Sequence, residues 1–336
     1  MGPTGHAYPD SAEVTVLRGY SRCLITTQTS QIEGTQFGQE LATRREAAKE
    51  YPFGRCPPEF SPLHLIYQHC LPTLERLVPD TSIHDLTLEA FLHQPTYHLT
   101  LVRAPGTEDI LIEGETTITH APAFFISPLP ASDLPSQCHS LLIYPANTIT
   151  LSPSTDPSTP LQEIQGAVTT RGGEKMYFKP RVEAREAEFL RELRILSKLN
   201  TLNLDSSIRV PKLLGLITSN STSSIIGILL TLIPGVPLSS PTLHSPTNSS
   251  LHTKWLSQLR HIVTQLHANG IVWGDVHPMN IMIDEAMDAW AIDFGGMNNV
   301  EFIDDGVRET VEGDWMGVGR VGEWLGRKAG EANGVV

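Results

Sequence analysis

The chain has 336 residues, enough for two domains or for one domain with a large extension. Lys and Arg number 24 and Asp and Glu 37, so the formal net charge is −13, which argues against nonspecific nucleic-acid binding because that binding depends on phosphate neutralisation. Membrane insertion is not expected either, since the sequence has no run of about eighteen apolar residues. The polar start does not resemble a signal peptide, and the 4 cysteines are widely spaced, so we expect a cytoplasmic protein with reduced thiols.

The first part of the chain predicts a helical and then β-rich extension over residues 1–139. Residues 1–40 are polar and poorly periodic, which indicates irregular and partly disordered chain. Helices are predicted over residues 41–51 and 63–78, the second interrupted at Pro72. Strand-like patterns follow at residues 98–102 and 110–113, with a turn between them. The histidines of this region show no metal-ligand spacing.

From about residue 140 onward the pattern alternates between strands and helices. Strands are predicted over residues 146–151, 161–169 and 175–179, and the Gly-containing stretch 170–174 forms a hairpin turn between the last two. Lys179 ends the last of these strands, and the helix predicted over 183–199 carries Glu192 and, one turn earlier, Glu188. Residues 210–216 and 224–232 are further strand candidates, and the continuous apolar run of the second indicates burial on both faces.

One polar motif lies after a predicted amphipathic helix at 251–268, which Asn269 and Gly270 terminate. Asp275 is followed by Asn280 and then by Asp293, with two short predicted strands between the last two. Such oxygen-bearing side chains suit phosphoryl transfer, in which one carboxylate orients the attacking hydroxyl and the other oxygens hold Mg²⁺. The alternative is a hairpin with incidental acids. A chance Asp–Asn pair at this spacing is common, but the same pair followed by Ile-Asp-Phe-Gly is not.

These residues resemble the protein-kinase-like superfamily, and more narrowly a group of fungal kinase-like proteins. The motifs that carry the resemblance are W-G-D-x-x-x-x-N at 273–280, I-D-F-G-G at 292–296 and E-T-x-x-G-D at 309–314. The resemblance implies an α+β, two-lobed protein-kinase-like fold with a minimal C-lobe. Its N-lobe is expected at residues 140–235 and its C-lobe at 236–330, after the extension of residues 1–139.

The resemblance also implies the ligands ATP and Mg²⁺ and a role for each motif residue. Asp275 is the expected catalytic base or orienting group. Lys179 is expected to hold the nucleotide phosphates and Glu192 to hold Lys179, with Glu188 as the alternative partner. The remaining expected roles are adenine contact by the backbone of Thr231, Leu232 and Ile233, metal binding by Asn280 and Asp293, and support of the catalytic-loop backbone by Asp314.

Four departures from the kinase pattern affect the functional prediction. Residues 152–160, where a kinase has its glycine-rich loop, contain no glycine. Trp273 replaces the histidine of H-R-D, and no A-P-E segment follows. His277 stands where protein Ser/Thr kinases carry lysine, which is similar to aminoglycoside and choline phosphotransferases.

The sequence therefore predicts an ATP- and Mg²⁺-dependent phosphotransferase that acts on a hydroxyl of a protein or of a small molecule. His277 and the short C-lobe favour a small-molecule acceptor, whereas Phe294 and the helix of Asp314 favour a protein-kinase ancestry. The alternative is a pseudokinase-type nucleotide-binding or scaffold module without turnover, which the glycine-free loop motivates.

Overall fold

The computed structural model describes residues 4–19, 21–51, 56–79, 86–114, 118–119, 126–151, 165–202, 204–205, 207–220, 223–243, 246–297 and 299–333. The chain divides into two compact units, whose segments interleave along the sequence. Unit 1 holds residues 1–125 and 147–164, and unit 2 holds residues 126–146 and 165–336. Across the described ranges, no helix is both long and apolar enough to cross a membrane.

The elements of the first half of the chain are β1 (Thr4–Ala7), β2 (Ser11–Arg18), β3 (Ser21–Gln28), α1 (Thr29–Ile32), α2 (Gln36–Ala48), α3 (Pro62–Leu77), α4 (Leu88–Leu92), β4 (Thr96–Arg103), β5 (Ile110–Glu113), β6 (Ile118–Thr119), β7 (Ile143–Pro145) and β8 (Ile149–Leu151). The second half contains β9 (Gly166–Thr170), β10 (Lys175–Pro180), α5 (Glu186–Thr201), β11 (Leu213–Thr218), β12 (Ile225–Thr231), β13 (Gly235–Pro237), α6 (His252–Ala268), β14 (Ile281–Asp284), β15 (Ala289–Ala291) and α7 (Val311–Asn333).

Unit 1 is built on a sheet with the strand order β1-β2-β3-β4-β5, and β6 also pairs with β4. The β3–β4 pair is parallel, so the chain must cross over between them, and α1 to α4 lie in this connection. Helices α2 and α3 cover the sheet with Leu41, Ile66 and Leu74, which share a core with Val14 and Ile25 of the strands.

Two predictions for this unit are wrong. Residues 4–28, predicted to be irregular, form three strands, in which Val14, Val16, Cys23 and Ile25 are buried and alternate with more exposed residues. In the sequence, polar residues next to these positions make the alternation of apolar and polar residues hard to recognise. Pairing with neighbouring strands stabilises the extended conformation. Helix α3 also continues through Pro72, which lies on its exposed face, where water can satisfy the backbone group that loses its partner.

Unit 2 begins with a sheet in which β7, β11, β12, β10 and β9 are neighbours in that order. The predicted hairpin turn between β9 and β10 is confirmed: the amide of Thr170 donates to the Glu174 carbonyl at 2.9 Å, and Gly173 has φ 85. The glycine-free stretch 152–160 and the start of the strand predicted at 161–169 lie outside the described residues. β12 is buried along nearly its whole length, as its continuous apolar run predicts.

Helices α5, α6 and α7 pack around a core that continues into the short sheet β13-β14-β15. Helix α5 buries Phe189, Leu193 and Leu196, and α6 buries Trp255 and Leu259. Gly270, with φ 62, ends α6 as predicted and leads directly into the motif of residues 273–280. The result is the mixed α+β architecture that the sequence predicts.

Candidate active site

Three of the predicted site residues meet around one ammonium group in unit 2. Lys179 Nζ, near the end of β10, lies 2.6 Å from Glu192 Oε2 on α5 and 2.9 Å from Asp293 Oδ1 after β15. Glu192 is only 1% exposed, and its Oε1 accepts a hydrogen bond from the Phe294 amide at 3.3 Å. The carboxylate that pairs with Lys179 is therefore Glu192, whereas Glu188 lies at the wall of the adjoining cavity.

The charges in this cluster compensate for the cost of burial. Burial alone lowers the pKa of Lys179, but the carboxylates of Glu192 and Asp293 outweigh it and raise that pKa above its ordinary value. Burial raises the pKa of Glu192, and the charge of Lys179 offsets this only in part. For Asp293, burial is outweighed by the charge of Lys179 and by hydrogen bonds from Lys179 and the Gly295 amide, so its pKa is lowered.

Asp275 lines the same cavity. Its Oδ2 accepts from Asn280 Nδ2 at 3.0 Å and lies 3.3 Å from His277 Nε2. His277 Nδ1 accepts from the Met279 amide at 3.3 Å, so in the neutral imidazole Nε2 carries the proton and donates it to Asp275. Asp275 Oδ1 is buried and has no hydrogen-bond partner among the described residues. A donor brought there by a bound molecule would relieve a costly unpaired oxygen.

Asp314, at the start of α7, supports the backbone of the motif at residues 273–280, as predicted. Its buried carboxylate accepts from the amides of Trp273 at 2.8 Å and Gly274 at 2.7 Å. Trp273 replaces the expected histidine, and its indole N–H donates to the carbonyls of Ile292 at 2.9 Å and Asp293 at 3.2 Å. The tryptophan thus links the two segments that carry Asp275 and Asp293.

Replacing Asp314 with Ala is expected to destabilise unit 2. Two buried amides, of Trp273 and Gly274, would lose their acceptor, at about 1–3 kcal/mol each. The free energy of unfolding in urea measures this loss, with Glu323→Ala on the exposed face of α7 as the control. Equal unfolding free energies of the two variants would contradict the supporting role.

Sequence reasoning missed two residues that support the site. His267, on α6, has Nε2 2.8 Å from Asp314 Oδ2. Arg191, beside Glu192 on α5, donates to the carbonyls of Val272, Trp273 and Phe294. The sequence offers one indication of the Arg191 contact. Gly274, directly before Asp275, has no side chain and so leaves space for a side chain from another segment.

Two adjoining cavities open onto these residues. The first, of about 520 Å³, is lined by Lys179, Glu192, Asp275, Asn280 and Asp293. The second, of about 530 Å³, shares several of these residues and is otherwise mostly apolar, with the predicted adenine-contact residues Thr231, Leu232 and Ile233 at its wall, beside Ala167, Tyr177, Leu230, Met282 and Ile292. Each cavity falls in the range of about 300–1,000 Å³ usual for small-molecule sites.

The donor set fits a nucleotide-bound Mg²⁺ better than a metal held by protein alone. No group of three or more His, Cys, Asp or Glu residues that could hold a metal occurs in the described part of the chain. Asn280 Nδ2 faces two acceptors, the carbonyl and carboxylate of Asp275, so its Oδ1 is the oxygen left for a cation. Together with Asp293 it supplies the one or two protein ligands that Mg²⁺ needs when phosphates and water complete its shell.

A match to one family model supports a protein-kinase-like superfamily for this part of the chain, as the sequence motifs predicted. More particularly, residues 178–312, from the residue before Lys179 to the first turn of α7, match the family of the ABC1 atypical kinase-like domain. No curated protein matches the chain. The narrower resemblance to fungal proteins with a W-G-D loop stays a prediction.

Proposed function

We propose that this protein is an ATP- and Mg²⁺-dependent phosphotransferase that moves the γ-phosphoryl group of ATP to a hydroxyl group of a protein or a small molecule. The observation that carries the proposal is the bridge from Lys179 to both Glu192 and Asp293, with the unpaired Oδ1 of Asp275 at the same cavity. A solvated surface lysine would not need two carboxylates, one of them fully buried.

The residues divide into a nucleotide-holding and an acceptor-orienting group. The apolar cavity beside Thr231, Leu232 and Ile233 would take the adenine, and Lys179 would contact the phosphates. Asn280 and Asp293 would hold Mg²⁺, which when bound neutralises charge on the phosphates. Because Asp293 Oδ1 already accepts from Lys179 and the Gly295 amide, its carboxylate is held in place before the metal arrives.

Asp275 would orient the acceptor hydroxyl and take its proton as the phosphoryl group is transferred. Asn280 and His277 both contact Oδ2, so the carboxylate is fixed and Oδ1 remains as the acceptor of the incoming O–H. His277 thereby positions Asp275. This would be the role of the histidine that makes the motif similar to aminoglycoside and choline phosphotransferases. Since Asp275 is 7% exposed, we favour a small molecule, or a side chain that extends well into the cavity, as acceptor.

The proposal extends to the surroundings in which the protein works. All four cysteines are free thiols, which fits a reducing compartment such as the cytoplasm. The net charge of −13 supports acceptors other than nucleic acids.

The alternative is a pseudokinase-type module that binds nucleotide without turnover. The absence of glycine from residues 152–160 favours it, because glycine lets backbone approach phosphate closely. The presence of Lys179, Asp275, Asn280 and Asp293 in one cavity favours turnover. Phosphoryl transfer separates the two functions, whereas nucleotide binding alone does not.

Mg-ATP is expected to raise the melting temperature of the protein, and Asp293→Ala is expected to abolish the shift. A ligand at 100 times its Kd stabilises the folded state by about 2.7 kcal/mol, and the variant lacks a metal ligand. Thermal denaturation with and without Mg-ATP measures the effect. Glu285→Ala, on the exposed turn between β14 and β15, is the matched control and should keep the shift. The binding assignment is wrong if the wild-type protein shows no shift at millimolar Mg-ATP.

A further inference from the structure

The guanidinium of Arg191 joins helix α5 to both functional loops. Its Nη1 donates to the carbonyl oxygens of Trp273, at 3.1 Å, and of Phe294, and its Nη2 donates to the carbonyl of Val272 at 3.0 Å. The Arg191 side chain is 21% exposed, and Glu309 Oε2 lies 3.9 Å from its Nε. One side chain therefore contacts the backbone beside Asp275 and the backbone beside Asp293. A planar fork of donors can do this, whereas a lysine ammonium is a single point charge.

Gly274 makes room for this contact. The residue directly precedes Asp275 and has φ 91, in the left-handed region that favours glycine. A Cβ atom at Gly274 would lie 2.7 Å from Arg191 Nη2, closer than real Cβ contacts permit. The guanidinium from α5 thus fills the space in which the side chain of residue 274 would begin.

The segment between Asp293 and α7 contains few side chains that could be phosphorylated. Between Phe294 and Thr310 the only hydroxyl side chain in the sequence is Thr310 itself. Its Oγ1 donates to the Val307 carbonyl at 2.7 Å and accepts from the Gly313 amide at 3.0 Å, so it serves the first turn of α7. Residue 274, being glycine, also has no cationic side chain that could pair with a phosphate.

We propose that Arg191 is a positioning residue that holds α5 in the active arrangement permanently, so that the enzyme needs no phosphorylation of residues 294–310. The inference rests on the proposed phosphotransferase function. In protein kinases the lysine–glutamate pair must be in place, and activation-loop phosphorylation together with helix positioning controls it. Here Arg191 is adjacent to Glu192, and its contacts fix the helix that presents Glu192 to Lys179.

The test compares Arg191→Ala, Arg191→Lys, Gly274→Ala and the Arg191→Ala/Gly274→Ala double variant with the full-length wild type. Arg194→Ala, exposed one turn further along α5, is the matched control.

Arg191→Ala should lower kcat by about 100-fold, the scale of a misplaced catalytic group, with a smaller change in KM for ATP. Arg191→Lys should not restore the rate. Gly274→Ala should reduce the rate less in the Arg191→Ala background, where its Cβ meets no guanidinium. Treatment of the wild type with a protein phosphatase should leave its rate unchanged.

Hydrogen exchange of the nucleotide-free protein gives a readout that does not depend on turnover. Amides of α5 and of residues 272–274 should exchange faster in Arg191→Ala than in Arg194→Ala. If the wild type transfers no phosphoryl group, the proposed function fails, and this exchange result alone still decides whether Arg191 holds the helix. Unchanged exchange in Arg191→Ala, additive effects in the double variant, or loss of activity as a phosphatase removes phosphate from residues 294–310 would overturn the inference.

Discussion

Asp275→Asn is expected to lower the rate of phosphoryl transfer by about two to four orders of magnitude, the scale for loss of a positioned acid or base. The amide still offers an oxygen to Asn280 Nδ2 and His277 Nε2, so the loop geometry should persist. It can no longer accept the proton of an acceptor hydroxyl. Nucleotide contacts come from other residues, so the shift in melting temperature with Mg-ATP should remain. Steady-state rates and thermal denaturation of the same preparation measure both effects.

The control for this variant is Asp304→Asn, which changes a 60% exposed carboxylate paired with Arg320 at the surface. It should match the wild type in rate and in nucleotide binding. A rate for Asp275→Asn within a few-fold of this control would remove Asp275 from its assigned role. Loss of the Mg-ATP shift in Asp275→Asn would instead assign the residue to nucleotide binding.

Lys179→Met is expected to destabilise the folded protein by about 3–5 kcal/mol, the cost of leaving one member of a buried ion pair without its partner. Glu192 is 1% exposed, and Lys179 Nζ, at 2.6 Å, is its only ion-pair partner among the described residues. The free energy of unfolding in urea measures the loss. Lys175→Met, exposed at the other end of β10, is the matched control and should change the stability little.

The pH dependence of this variant identifies Glu192 as the source of the cost. Burial raises the pKa of Glu192 above its ordinary 4.5, and removing Lys179 removes the charge that opposes the rise. The folded variant then takes up a proton that the unfolded chain does not, so its stability should increase as the pH falls from 8 towards 5. In the wild type the pKa of Lys179 lies above its ordinary 10.5, so that lysine stays charged over this range and opposes the rise in the pKa of Glu192, and the stability should depend less on pH than in the variant. If the destabilisation of Lys179→Met were independent of pH, the unpaired Glu192 would not be its cause. The same conclusion would follow if the Lys179→Met/Glu192→Gln double variant were no more stable than Lys179→Met.

The part of the candidate site that the sequence could predict is the part encoded by spacing within short segments. Asp275 and Asn280 belong to one turn of chain, and β14 and β15 return the backbone to Asp293. Lys179 and Glu192 belong to one strand and the helix that directly follows it. Local periodicity predicts such helices and strands. The spacing of the motif indicates which of their ends bear the candidate site residues.

What the sequence did not reveal depends on contacts between distant segments. Arg191 meets Trp273 across 82 positions and His267 meets Asp314 across 47, and no local pattern specifies either pair. Strands β1 to β3 are likewise not specified by a local pattern. Their sequences are partly polar, and pairing with neighbouring strands stabilises them. The interleaving of the two units is likewise a property of tertiary packing, which composition along the chain does not express.

We propose that the chain transfers the γ-phosphoryl group of ATP and does not merely bind it. The direct measurement incubates wild type and Asp275→Asn with Mg²⁺ and [γ-³²P]ATP, alone and with protein and small-molecule hydroxyl acceptors, and separates labelled protein, small molecule and free phosphate. We expect label in an acceptor with the wild type and a loss of about 100-fold or more with Asp275→Asn. Equal labelling by both proteins, or wild type that binds Mg-ATP and transfers no label to any acceptor, would contradict the proposal.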